Sequence, residues 1–74
     1  MKRGVLVSVS YNKLWKILID KNMKKKELSE IAYISPSLIA KLGRNENVTV
    51  EVLVKICCAL ECTFDDIVEI IHDN

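Results

Sequence analysis

Glycine and proline are scarce in this chain, with two Gly and one Pro among 74 residues, while half of the residues are hydrophobic. That balance excludes a largely disordered chain. Aromatics are few and histidine occurs once. Long hydrophobic runs are missing as well. The longest, Ile56 to Leu60, falls far short of the ~20 residues that a membrane-spanning helix needs. The Met1-Lys2-Arg3 start is followed by neither an apolar leader nor a small-residue cleavage site, so a soluble cytoplasmic protein is expected. The length leaves room for one small domain.

Catalytic constellations are also missing. The sequence contains no nucleophile elbow, no phosphate-binding glycine loop and no dense metal-ligand motif, and a core built from so short a chain leaves little room for a pocket. Neither enzymatic activity nor a cofactor or metal is expected. Of the three cysteines, Cys57 and Cys58 are adjacent and diverge too far to bridge comfortably, so reduced thiols are expected. Cys58 and Cys62 share a face only if a helix continues past Leu60, and Cys57 reads as a small core hydrophobe. His72 reads as a surface residue, and Tyr11 and Trp15 as cover for the core.

Net charge is only +1, but it is unevenly distributed. Residues 1–45 carry about +7, including Lys24, Lys25, Lys26, Lys41 and Arg44, and residues 46–74 about −6. A chain this dipolar has either one basic binding face or two ordinary solvated ones, and charge alone leaves both open.

Periodicity divides the chain. Val5, Val7 and Val9 fall on one face with Ser8 and Ser10 opposite, which predicts a short strand. A lone strand must pack on the domain or pair with another chain. Tyr11, Leu14, Trp15 and Leu18 then fall at helical spacing, and Lys21-Asn22 closes the first helix. A second helix runs from about Lys24 to Ala32, with Leu28, Ile31 and Ala32 on one side. Ser35 caps a third with Pro36 in its first turn, Ile39 and Leu42 face inward, and Gly43 ends it or supplies the turn. Arg44 to Val48 is a polar loop. Thr49 caps a fourth helix whose buried stripe is Val52, Leu53, Ile56, Cys57 and Leu60. Thr63-Phe64-Asp65-Asp66 opens a fifth in capping-box form, continued by the helical spacing of Phe64, Ile67, Val68 and Ile71. This predicts an all-α, five-helix domain at 11–74 behind an N-terminal strand or arm at 1–10.

Lys25 to Leu42 is two short helices joined by a tight turn. Small Ser29 allows close crossing, and Ile34, Ile39 and Leu42 fix the angle from inside. This is a helix-turn-helix over about 25–43. Met23 to Leu28, Ile34-Ser35-Pro36-Ser37, Ile39 to Thr49, Val52 to Cys57, and Ala59 to Cys62 with Asp65-Asp66-Ile67 together resemble the Xre family of lambda-repressor-like regulators. The match spans Tyr11 to about Ile71.

The resemblance implies a sequence-specific DNA-binding transcriptional regulator, expected to be a repressor, that inserts helix 35–43 into a major groove. It implies double-stranded DNA and a second copy of the chain as partners. Lys25 matches a phosphate-contacting position, and Lys24 and Lys26 beside it form either a phosphate clamp or merely solvated charge. Ser35, Ser37 and Lys41 match the exposed face of the recognition helix. Pro36 and Leu38 offer apolar contact, and Arg44, Asn45 and Asn47 match the loop that holds the DNA backbone. The N-terminal strand and the fifth helix are the two candidate dimer elements. Two departures stand out: Tyr33 occupies a turn position where the family has Gly, and Lys24 stands where the family has a Ser or Thr cap. The alternative function is a protein-interaction module, antitoxin-like or antirepressor, that retains the same fold.

Overall fold

A computed structural model describes residues 6–73, in the order β1 (Leu6–Ser10), α1 (Asn12–Asp20), α2 (Lys25–Ala32), α3 (Pro36–Gly43), α4 (Val50–Leu60), α5 (Phe64–Ile67) and β2 (Glu69–Asp73). Lys2, Arg3 and Val5 lie outside the described residues, as do the side chains of Val7 and His72.

The first four helices end in one way, and glycine has no part in it. Asn22, Tyr33, Asn45 and Glu61 each adopt left-handed φ angles of 55–57°. The amide after each reaches back to the carbonyl five positions earlier. Met23 N–H meets Leu18 O at 2.8 Å, Ile34 N–H meets Ser29 O at 3.1 Å, and Glu46–Lys41 and Cys62–Cys57 both close at 3.0 Å. These bonds satisfy carbonyls that a helix end otherwise leaves open. In three of the four turns the donating residue is apolar, and Ile34 is buried while Met23 and Cys62 are half-buried, so the turn and the core close together. Gly43 is the last residue of α3 rather than the turn residue; the left-handed position falls two residues later, on Asn45.

Helix starts follow the sequence signals. Ser35 Oγ accepts the Leu38 N–H at 3.3 Å, and Thr49 Oγ1 accepts the Val52 N–H at 3.3 Å. At α5 the amide and hydroxyl of Thr63 both donate to Asp66 Oδ2, at 3.0 and 3.2 Å. Those two bonds hold the Asp66 carboxyl below the usual carboxylate range.

The core is a single cluster contributed by every helix. Tyr11, Leu14 and Leu18 meet Leu28 and Ala32, then Ile39 and Leu42, then Val52, Ile56, Cys57 and Leu60, with Ile67 closing the set. Within this cluster α2 packs on α3 and α4, and α5 packs on α1 and α4. Ile31 departs from the expected inward face: it is 43% exposed. No helix among the described residues is long and apolar enough to cross a membrane.

The fifth helix is shorter than its apolar spacing predicts. It stops at Ile67, Val68 turns extended (φ −118°, ψ 135°), and residues 69–73 form β2 instead of a last helical turn. Val68, Ile70 and Ile71 are β-branched, and such side chains lose little in a strand and crowd a helix. β1 supplies the partner. The two strands pair antiparallel, with Val9 opposite Ile70 and Ser10 opposite Glu69. The leading strand therefore pairs within its own chain, and half-buried Val9 packs against the core.

Candidate nucleic-acid interface

The candidate interface draws on three pieces: the start of α2, the exposed face of α3 and the loop that follows α3. At the start of α2, Lys24 has extended backbone and no side-chain acceptor to cap the helix. Glu27 supplies the anionic partner, accepting the Lys24 N–H on Oε1 at 2.8 Å. A carboxylate in the first turn suits the helix dipole and offsets the three neighbouring lysines. All three lysines are exposed. Lys25 Nζ lies 4.6 Å from the centre of the Trp15 ring, a cation–π contact. Trp15 is half-buried against the core. It covers the core as expected, and it also carries Lys25, which spacing within either helix does not reveal.

On α3, Ser37, Ala40 and Lys41 fall at i, i+3 and i+4, and all are exposed; exposed Arg44, just past the end of the helix, continues the spacing at i+7. Ala40 is the member that the sequence reading missed, although the helical period that picks out Ser37 and Lys41 includes it. Its methyl group is the kind of surface that meets a thymine methyl. Ser35 and Ser37 hydroxyls lie 2.9 Å apart, so each already has a partner. A hydroxyl has one donor and two acceptor sites, which leaves capacity on the pair for an outside group. Pro36 is exposed, and it lines a crevice of about 380 Å³ between α2 and α3 with Lys25, Lys26, Ser29 and Ile39. Leu38 is half-buried and packs on the core, so it offers less apolar surface outward than the sequence reading assigned it.

Tyr33, in the turn between these helices, sits at φ 57° and is 84% exposed. A non-glycine residue there carries a steric cost of about 1–2 kcal/mol, and its side chain recovers nothing from core packing. The turn keeps its left-handed geometry despite the tyrosine.

In the following loop, Arg44 Nε donates to Glu46 Oε2 at 2.6 Å. The bond holds the Glu46 carboxyl below its ordinary range and pushes the Arg44 guanidinium up, so both stay charged. Asn45 occupies the left-handed position and is tied to Tyr11, whose backbone N–H donates to Asn45 Oδ1 at 3.0 Å. Tyr11 also donates its hydroxyl to the Glu46 carbonyl at 2.9 Å. Asn47 is exposed beside them.

Away from this face the three cysteines are free. Helix α4 does end at Leu60, and Cys62 turns back to Cys57 rather than to Cys58, its amide donating to the Cys57 carbonyl at 3.0 Å. Burial pushes the Cys57 thiol up to about 11, as expected of a core thiol.

These elements and their spacing are those of a helix-turn-helix, and the chain belongs to the Cro/C1-type HTH DNA-binding domain family, whose profile matches residues 13–73. Among solved structures it is similar to that of the transcriptional regulator VanUg (Form II). The two share 55% identity with a TM-score of 0.86, over 90% of this chain and 89% of that one. No curated protein sequence matches.

Proposed function

We propose that this DNA-binding domain represses transcription by occupying an operator as a homodimer in the cytoplasm, with α3 in the major groove. The observation that carries the reading is the exposed stripe of Ser37, Ala40 and Lys41 on α3, with Arg44 just past its end and Lys24, Lys25 and Lys26 at the start of α2. The likeness to a transcriptional regulator supports the regulatory role.

In this reading Lys25 to Gly43 is the helix-turn-helix unit. Ser37 and Lys41 read base edges, and Ser35 orients Ser37 through their shared hydrogen bond. Pro36 and Ala40 meet apolar base edges, with the outer part of Leu38 beside them. Lys24, Lys25, Arg44, Asn45 and Asn47 hold the backbone. One recognition helix spans only a few base pairs, so useful specificity calls for two copies on half-sites about 34 Å apart.

Binding of genomic fragments, selected for affinity and then titrated with salt, tests this. Several phosphate contacts predict a fall in affinity of at least 10³-fold between 50 and 200 mM salt. Lys41→Ala and Ser37→Ala are each expected to erase the preference for the selected fragment without unfolding the protein. Unchanged preference in both refutes the assignment of base reading to these residues. If the protein ignores duplex DNA even at low salt and captures a protein partner instead, it is an interaction module that retains the fold.

A further inference from the structure

Tyr11 immediately precedes α1 and is only 2% exposed, yet the two hydrogen bonds it donates go to the loop after α3, 34 and 35 positions further on. Its backbone N–H donates to Asn45 Oδ1 at 3.0 Å, and its hydroxyl donates to the Glu46 carbonyl at 2.9 Å. The first bond has a chemical consequence. An N–H can pair only with the oxygen of the Asn45 amide, which leaves the Nδ2 end, with its two donors, for an outside acceptor. The second bond joins two others at Glu46, whose amide is held by the Lys41 carbonyl at 3.0 Å and whose carboxylate is held by Arg44. Asn45 and Glu46 are thus both tied to one buried residue, one through its backbone and the other through its ring hydroxyl.

We propose that Tyr11 is a positioning residue for DNA: acting through Asn45 and Glu46, it holds the Arg44–Asn47 loop so that Asn45 Nδ2 and the Arg44 guanidinium donate to backbone phosphates. The inference rests on the DNA-binding reading above and deepens it. Tyr11 itself touches no DNA. Burial raises the pKa of its phenol, so the hydroxyl remains a donor throughout the working range.

Two substitutions separate positioning from folding. Tyr11→Phe keeps the ring and the backbone bond to Asn45 but deletes the hydroxyl bond to Glu46. Asn45→Asp keeps the acceptor for the Tyr11 N–H and tolerates the left-handed backbone, but it removes both donors and adds a negative charge. The probe is a labelled duplex of arbitrary sequence, about 20 base pairs long, because phosphate contacts are indifferent to sequence.

For Tyr11→Phe the expected result is a three- to tenfold loss of affinity at room temperature, with a salt slope shallower by up to about one. The loss is the same for unrelated sequences. For Asn45→Asp the expected result is at least as large a loss, with the thermal midpoint within a few degrees of the parent. A purely structural role moves only the thermal midpoint. If folded Tyr11→Phe binds with the parent's affinity and salt slope, the proposal is overturned. Should Tyr11→Phe fail to fold, unchanged affinity in folded Asn45→Asp overturns it equally. If the parent itself does not bind duplex DNA at 50 mM salt, the DNA reading falls and this proposal falls with it.

Discussion

Two left-handed residues bracket α3, Tyr33 before it and Asn45 after it, and both have φ 57°. Their backbones adopt the same conformation, which asparagine tolerates better than tyrosine, and their side chains are used in opposite ways. Tyr33 is 84% exposed. Asn45 is tied by its amide oxygen to the residue that opens α1. The contrast shows that a strained turn needs no compensation at its own position. Ile34 follows Tyr33 into the core, and its amide closes the Ser29 carbonyl, so the turn is held by its neighbour. After α3 the equivalent neighbour is Glu46, exposed and acidic, and no apolar anchor is available there. The tie to Tyr11 takes its place.

Alanine at each position tests this most directly, since both variants then have the same side chain on the same backbone. Asn45→Ala is expected to destabilise by about 2 kcal/mol, combining the lost hydrogen bond with asparagine's lost advantage in the left-handed region. Tyr33→Ala is expected to change stability by no more than about 0.5 kcal/mol. Chemical denaturation of the pair measures the difference, and equal losses would show that the Asn45 tie carries no weight.

The buried side of the Tyr11 tie has its own signature at alkaline pH. Burial raises the folded pKa of Tyr11 above 10.0 and that of Cys57 from 9.0 to about 11. The folded state therefore holds protons that the unfolded chain has already released. Stability from these groups is fully present below pH 9, and it declines from about pH 9 for Cys57 and from about pH 10 for Tyr11. A loss of order 1–2 kcal/mol is expected by pH 11. Denaturation midpoints across that range check it. Cys57→Ala should flatten the lower part of the decline, and Tyr11→Phe the upper part.

The smallest effect is a gain. Tyr33→Gly relieves the left-handed strain but adds freedom to the unfolded chain, for a net stabilisation of about 0.5–1 kcal/mol. The thermal midpoint is expected to rise by a few degrees. DNA affinity should not change, because Tyr33 belongs to neither the α3 stripe nor the loop after it.

Local signals made much of this molecule legible. Ser35 with Pro36 and Thr49 mark helix starts through bonds made within one turn, so neighbours in sequence suffice to read them. The shared face of Ser37 and Lys41 follows from helical period alone. Lys24 looked like a missing cap because the satisfying group is Glu27, which reaches back from the first turn to the backbone. Spacing misled at the end of the chain, where Phe64, Ile67, Val68 and Ile71 fit a helix equally well. The choice there went to a strand because β1 offered unpaired backbone groups some sixty residues away in sequence.

By itself, then, the sequence determined where the first four helices lie, most of the residues they bury, Ile31 excepted, and which short unit forms the helix-turn-helix. Those features depend on period, capping and turn chemistry, all of which act over a few residues. Only the tertiary structure decided that β1 and β2 pair as strands, that Trp15 carries Lys25, and that Tyr11 holds Asn45 and Glu46. Each of these joins groups with no fixed spacing in the chain. They meet because burying one shared core brings α1, the start of α2 and the loop after α3 to the same place.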